Sequence, residues 1–451
     1  MKALWLGLLL ALPGVTETPV APRIHPVPPP VELRLPDAPE ASPGALTAEG
    51  AARLALERQP ELRVALAAAE AAAGQTAQAR SGLFPWLSLS SSYNNQTPLT
   101  GDSRFSGGGN PAAGGGGSQA QAQLRQLIWD FNRTDSVVGE AYHEQLAVEA
   151  DYQRARADLV LDAKSAFFDW VAFTEEAQVV HANLENQRHN LALAQARWES
   201  GLGLPADLVQ AQTAVAAATV NLNRARAAEL SARVRLARVL GLDPRTPLVA
   251  DLTPSQPPPN GDLNALIEEA LPRRPEMQVV LARVESAEYG LKAAEKNNLP
   301  ALVATAGPVA RGPSFPPENA FLQAGVSLQW PFFDGGLTGG LVDQASADLE
   351  SARARLETVR NLLIAEILQA SLELSAAEGS LGAAEAGTEN AREAVRIAEG
   401  RYKAGLGNFQ EVLDNQAALL TASTNLVQAR RLAQVARARF ERALGMSPGL
   451  K

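Results

Sequence analysis

Few residues in this sequence have the types and spacing that chemistry requires. The chain has no cysteine, which excludes disulfides, thiolate metal sites and cysteine nucleophiles. His25, His143, His181 and His189 show no metal-ligand spacing. The glycines at 114–117 lack the Lys-Ser/Thr of a phosphate-binding loop and indicate a loop between two predicted strands. The sequence therefore predicts no catalytic residue, no metal site and no cofactor, and we expect no enzymatic activity.

Two acidic residues near the C-terminal end, Glu411 and Asp414, are three positions apart. On a helix this spacing places both carboxylates on one face. The residues by themselves favour a solvated helix start, where acids stabilise the positive end of the helix dipole.

Composition limits the class of partner. The 451-residue chain has a net charge of −9, so we expect no nucleic acid as partner, because phosphate binding needs clustered Lys and Arg. Alanine, leucine, glutamate, arginine and glutamine dominate long stretches, as in helix-rich proteins. Aromatic residues make up 5%, which argues against a wide globular core.

The N-terminal residues predict a signal peptide at 1–18. Lys2 precedes a short apolar run at 3–12, which is too short to cross a bilayer. The alternative is a short buried helix. A proline-rich extended segment follows at 19–45. No later segment offers about 18 uninterrupted apolar residues, so the sequence predicts no transmembrane helix.

The chain contains an internal duplication, with repeats at 46–244 and 262–448 joined by a linker at 245–261. Residues 57–70 match 272–285 at an offset of 215, and 197–212 match 401–416 at an offset of 204. The 11 residues lost between the two offsets lie in loops between strands, where length changes are tolerated.

Each repeat predicts the same order of elements. A helix opens near Thr47, or near Asp262 in the second repeat, and ends before Pro85 or Pro300. Two strands follow, and then a long helix, a Gly-Leu-Gly break and a return helix. The predicted strands are 86–93, 120–129, 301–310 and 321–330, the long helices 137–200 and 341–404, and the return helices 206–240 and 409–444.

The strands define how the chain meets a membrane. In 321–330, apolar and polar residues alternate, as in a barrel wall between lipid and water; a surface hairpin is the alternative. Four strands cannot close a barrel, and open strand edges are not stable in lipid. Three copies would supply twelve strands. A helix of about 64 residues is about 96 Å long, far more than a bilayer is thick.

The sequence resembles the TolC-like outer-membrane efflux protein family, from residue 46 to residue 448. The resemblance rests on LIWDFN (127–132), LQWPFFDGG (328–336), RYKAGLGNFQEVLDNQAAL (401–419) and the closing LG-x-x-P of each repeat. It implies a mainly α fold with a small β part: a trimeric α-barrel of long helical hairpins, continuous with a 12-stranded membrane β-barrel that takes four strands from each protomer.

The resemblance also implies a passive export duct. Such a duct lies in the outer membrane, in contact with its lipid, and extends a tunnel into the periplasm. It works as a homotrimer with a periplasmic adaptor (membrane fusion) protein and an inner-membrane transporter, in tripartite efflux or type I secretion. The alternative from the residues is a soluble periplasmic coiled-coil scaffold or adaptor.

Family positions assign roles to residues at the two helix turns. Glu411 and Asp414 match the acidic rings of the periplasmic gate, where crowded carboxylates repel one another and attract cations. Tyr402 and Asp207 match a tether between the hairpins, although Gly407 stands where many members carry arginine. The resemblance places the adaptor contact at the turns themselves. Their residues are Gly201, Leu202, Gly203, Gly405, Leu406 and Gly407.

Overall fold

The computed structural model describes residues 45–94, 117–200, 204–251, 261–313 and 315–446. The predicted signal peptide, nearly all of the proline-rich segment, most of the predicted linker and Gly201, Leu202 and Gly203 lie outside the described residues.

Both repeats have the predicted element order. In the first repeat the elements are α1 (Ala48–Arg58), α2 (Pro60–Ser81), β1 (Trp86–Asn94), β2 (Gly117–Trp129), α3 (Arg133–Glu199) and α4 (Pro205–Val239). In the second they are α5 (Leu263–Ala270), a 3-10 turn (Leu271–Arg273), α6 (Pro275–Glu295), β3 (Ala301–Gly312), β4 (Asn319–Gln329), α7 (Leu337–Lys403) and α8 (Phe409–Ala443).

The duplication extends to the length of the helices. Both long helices have 67 residues and both return helices have 35, with every boundary displaced by 204 positions between the repeats. Both long helices begin four residues before the predicted start. The early start has a local cause at the corner between strand and helix.

An aspartate caps each of these corners. The Asp130 carboxylate accepts the backbone N–H of Thr134 at 2.9 Å, and Asp334 accepts that of Thr338 at 2.8 Å. Between cap and helix, two residues have positive φ in each repeat. These are Phe131 and Asn132 (59° and 60°) in the first repeat, and Gly335 and Gly336 (66° and 91°) in the second. Only the second repeat uses glycine at these left-handed positions, where a side chain costs about 1–2 kcal/mol.

A proline divides the opening helix of each repeat. The residues before Pro60 and Pro275, Gln59 and Arg274, have extended backbones, as steric contact with a following proline requires. Their side chains then cap the return helices. Gln59 Nε2 donates to the carbonyl of Val239 at 3.2 Å, and Arg274 Nη1 donates to that of Ala443 at 3.0 Å.

The four strands form one antiparallel sheet in the order β1-β2-β3-β4. The sheet lies in a compact unit formed by Gln75–Ala141 and Glu288–Ser346. The β2–β3 pairing joins the repeats, and β1 and β4 are the outer strands. Every residue of β4 is exposed, including apolar Leu322 at 82% and Val326 at 66%. The sheet therefore presents apolar side chains that the described residues do not cover.

A second compact unit contains the remaining parts of the helices, and its core repeats as well. Ala163 and Leu236 pack together in the first repeat, and Ile367 and Phe440 occupy the equivalent places in the second. Within the part of the chain that the structure describes, no helix has both the length and the apolar character needed to cross a membrane.

Candidate functional site

The turn between α7 and α8 is built by its glycine. Gly405 has φ +74°, and its N–H donates to the carbonyl of Tyr402 at 3.0 Å. The N–H of Leu406 donates to the carbonyl of Arg401 at 2.8 Å, which completes a Schellman motif. The Leu406 side chain is 75% exposed. The motif reverses the chain and leaves an apolar side chain at the tip.

The two return helices start differently. Asn408 caps α8, because its side-chain oxygen accepts the N–H of Glu411 at 2.7 Å. In α4 the cap residue is Leu204, which has no side-chain hydrogen bond, and Pro205 follows at the first helical position. Both return helices carry an acid in their first turn, Asp207 and Glu411 at equivalent positions, but only the second has a side-chain cap.

Both predicted gate acids are on the first turns of α8, with partners on their own hairpin. Glu411 is 3.8 Å from Arg401 Nε, with a side chain that is 36% exposed. The exposed Asp414 accepts a hydrogen bond from Gln410 Nε2 at 2.6 Å. In a single chain these contacts are those of a solvated helix start, and the gate assignment stays a prediction.

Tyr402 connects the two hairpins. Its side chain is 4% exposed and lies 5.4 Å from the Phe409 ring. Its hydroxyl donates to Asp207 Oδ2 at 3.4 Å, so the residues of the predicted tether are brought together. Burial, and next the Asp207 carboxylate, raise the pKa of Tyr402. The phenol therefore keeps its proton and acts as the donor.

Arg197, which the sequence analysis did not select, contacts Tyr402 from the last turns of α3. Its Nη1 donates to the Tyr402 carbonyl at 2.8 Å, and its guanidinium lies 4.7 Å from the centre of the Tyr402 ring. A signal was present in the sequence, because Arg197 and Arg401 are equivalent in the repeat. The equivalence does not show that Arg197 reaches across to the other hairpin, while the described contacts of Arg401 stay within its own.

A series of hydrogen-bonded polar side chains is buried among the same helices, and the sequence did not predict it. Asn190 Nδ2 donates to Gln416 Oε1 at 2.7 Å, and Gln416 Nε2 donates to Glu399 Oε1 at 3.1 Å. Asn190 and Gln416 are 2% and 3% exposed. Because the polar atoms of these side chains are satisfied only in one arrangement, their hydrogen bonds fix the register of α3, α7 and α8.

The other predicted turn residues divide into two groups. Gly201, Leu202 and Gly203 lie outside the described residues, while Gly405, Leu406 and Gly407 form the described turn. A Cβ at Gly407 would lie 3.2 Å from Glu411 Oε2 and 3.2 Å from Arg401 Cβ. A larger residue at 407 would therefore disturb the neighbourhood of Glu411.

Among the described residues, no three His, Cys, Asp or Glu side chains come close enough together to hold a metal ion. The arrangement at the turns is thus one of polar and ionic contacts between helices. Two helical hairpins and one four-stranded sheet with two open edges, built by the same element order twice, define a duplicated helix–strand–strand–helix protein.

The comparison with protein families is specific. The family model described as "Outer membrane efflux protein" matches residues 51–242 and 266–446. The chain therefore belongs to the outer membrane efflux protein family.

Individual relatives align with this chain over most of their length. The chain is 26% identical over 423 residues to Protein CyaE of Bordetella pertussis, covering 92% of this chain and 85% of the relative. It is 24% identical over 392 residues to Outer membrane protein TolC of Escherichia coli, covering 82% and 76%. Among solved structures, the outer membrane protein VceC of Vibrio cholerae superposes with a TM-score of 0.75 at 21% identity, covering 88% and 96%.

Family membership decides between the two function classes that the residues left open. The chain is an outer-membrane efflux channel protein with a periplasmic tunnel, and the alternative of a soluble scaffold or adaptor is set aside. The mainly α fold with a small β part is confirmed. The family is one of transport channels and not of enzymes.

Proposed function

We propose that three copies of this chain assemble into a passive export duct, in which the three sheets close a twelve-stranded barrel. The observation that carries the trimer is the sheet itself. β1 and β4 are its outer strands, and β4 exposes Leu322 and Val326. Open edges of this kind are stable in lipid only when strands of neighbouring copies pair with them, whereas the exposed apolar side chains suit direct contact with lipid.

Extraction of outer membranes in mild detergent tests the assembly. We expect a trimer that survives sodium dodecyl sulfate at room temperature and dissociates on heating. Replacing Leu322 by Asp puts a charge on the apolar face and should reduce the trimer, whereas Gln323→Asp on the opposite face serves as the matched control. A monomer recovered from the periplasmic fraction would refute the proposal.

Within the duct, Glu411 and Asp414 of each copy form the periplasmic gate. Six carboxylates near one axis would repel one another and select cations. In planar bilayers we expect a small cation-selective conductance that rises when both residues become alanine. Glu389→Ala is the control, because Glu389 is a 72% exposed acid elsewhere on α7. Equal conductance in wild type and double variant would remove the gate assignment.

The proposed partners are an adaptor protein that contacts the helix turns and a transporter in the inner membrane. The exposed Leu406 supports a contact at the tip of the second hairpin. In cells that lack the native channel, Leu406→Asp is expected to abolish export while trimers still reach the outer membrane. Copurification with a crosslinked adaptor measures the same contact directly, and unchanged crosslinking of the variant would contradict it.

A further inference from the structure

Tyr402 is held from two sides by the other hairpin. Asp207 at the start of α4 accepts a hydrogen bond from its hydroxyl at 3.4 Å. Arg197 at the end of α3 donates to its backbone carbonyl at 2.8 Å and places a cation 4.7 Å from the ring centre. One residue of the second hairpin is thus fixed at both its side chain and its backbone by two residues of the first.

The contact of Arg197 with the carbonyl involves the turn directly. The same carbonyl accepts the N–H of Gly405 in the Schellman motif. A charged donor on that oxygen therefore ties the turn of the second hairpin to α3. Bonds with one charged partner are about twice as strong as neutral ones. The Tyr402–Asp207 bond also has a charged partner, but at 3.4 Å it is longer than the usual O–H···O distance of about 2.5–3.0 Å.

The repeat provides an internal comparison for this arginine. Arg401 is equivalent to Arg197 but has a 54% exposed side chain, and its contacts are with its own hairpin, to Glu411 at 3.8 Å and the Leu406 carbonyl at 3.5 Å. Gly407 has no side chain that could supply a cation to Asp207. Within the described residues, Arg197 makes contacts between the hairpins, while those of Arg401 stay within its own hairpin.

We propose that Arg197 is a positioning residue of the gate: it holds Tyr402 against Asp207 and so fixes the second hairpin, which carries Glu411 and Asp414, to the first. The inference rests on the proposed gate for its functional meaning. The contact itself can be tested without any measurement of conduction.

The absence of native cysteine makes a distance measurement practical. Cysteines at Leu204 and Leu406, which are 66% and 75% exposed, accept spin labels near the two turns. Labelled chains are diluted with unlabelled chains, so that the pairs within one chain dominate the double electron–electron resonance signal. We expect one narrow distance distribution for the full chain in detergent.

In Arg197→Ala, we expect about ten times as many chains whose distance between the two labels lies outside the narrow distribution. This tenfold change corresponds to about 1.4 kcal/mol. Arg197→Lys keeps a cation and a donor and should restore most of the narrow distribution. The control is Arg188→Ala on the same helix, since Arg188 has a 57% exposed side chain and pairs with Glu185. If Arg197→Ala does not reach the membrane, Arg197→Gln replaces it.

Coupling separates positioning from general packing. Because Arg197 and Asp207 act on one residue, the effects of Arg197→Ala and Tyr402→Phe should be less than additive in the double variant. A distribution like that of Arg188→Ala, additive effects, or a lysine variant as broad as the alanine variant would each overturn the proposal. If the wild-type chain conducts no ions, the proposed function fails, while the distances still decide the role of Arg197.

Discussion

Replacing Arg274 by glutamine tests how the repeats join their opening and return helices. Arg274 is 1% exposed. It pairs with Glu276 at 2.9 Å and Glu366 at 2.7 Å, and it donates to the carbonyls of Arg442 and Ala443 at 3.0 Å each. Removing one partner of a buried ion pair costs about 3–5 kcal/mol. Because Arg442 still pairs with both carboxylates, and glutamine can bond to the carbonyls as Gln59 does in the first repeat, we expect the low end, about 3 kcal/mol.

The matched control is Gln59→Ala. Gln59 carries no charge, and its bonds to the carbonyls of Arg238 and Val239 are 3.4 and 3.2 Å long. Its loss should cost about 1 kcal/mol, the net value of a neutral hydrogen bond. The two substitutions thus change equivalent positions, but only one of them removes a buried cation from two carboxylates, which keep Arg442 as a partner.

The assay is thermal unfolding followed by circular dichroism at 222 nm. One kcal/mol shifts the melting temperature of a 150–250-residue domain by about 2–4 °C, and a longer chain by less. We therefore expect Arg274→Gln to melt about 5 °C below the wild type and Gln59→Ala about 1–2 °C below. Equal melting temperatures for Arg274→Gln and the wild type, or a larger loss in Gln59→Ala, would refute the reasoning.

Acid should reveal the same cluster. Burial acts to raise the pKa of Glu276, but the guanidiniums of Arg274 and Arg442 outweigh it, so the pKa is lowered overall. Its contribution to stability is present above the unfolded-state value of about 4.3 and is lost as the pH falls through the lower folded-state pKa. Below about pH 5, the melting temperature of Glu276→Gln should therefore fall less steeply with decreasing pH than that of the wild type. The same slope in both proteins would contradict this.

Three further predictions concern single sites. A Cβ at Gly241 (φ +67°) would lie 2.8 Å from a backbone oxygen, whereas a Cβ at Gly445 (φ +68°) would have its nearest neighbour at 3.4 Å. Gly241→Ala should therefore lower the melting temperature more than Gly445→Ala. Burial, and then Asp158, raise the pKa of Asp162, so Asp162→Asn should raise the melting temperature at pH 7; a decrease would contradict this. Burial, as the largest cause, raises the pKa of Tyr402, so the stability that this tyrosine contributes is lost as the pH rises above about 10. The melting temperature of Tyr402→Phe should therefore depend less on pH in this range.

The order of elements was predictable because hydrophobic period and proline position are local signals. Each predicted strand is present with ends within three residues of the prediction. The start of the long helices was not predicted, because it depends on two consecutive left-handed residues after Asp130. Glycines at 335 and 336 were a visible signal for that conformation, but Phe131 and Asn132, at the equivalent positions, were not.

The candidate site was predictable only where family positions supplied it. Tyr402 and Asp207 are 195 positions apart, and the structure brings them to 3.4 Å. Arg197 was missed because its partner is a backbone carbonyl 205 positions away, and no spacing in a sequence indicates such a contact. The gate role of Glu411 and Asp414 stays a prediction, since a gate of this kind involves several chains.

The equal helix lengths of the repeats limit how such a chain can change in length. Inserting one residue into α3 alone would move its end by about 1.5 Å and rotate it by about 100°. Arg197 would then leave Tyr402, and the hydrogen bond from Asn190 to Gln416 would be lost. Viable insertions must therefore lengthen the long helices and the helices packed beside them together, by numbers of residues that keep the same side chains in contact. A designer could use this rule to build longer or shorter tunnels from the same two repeats.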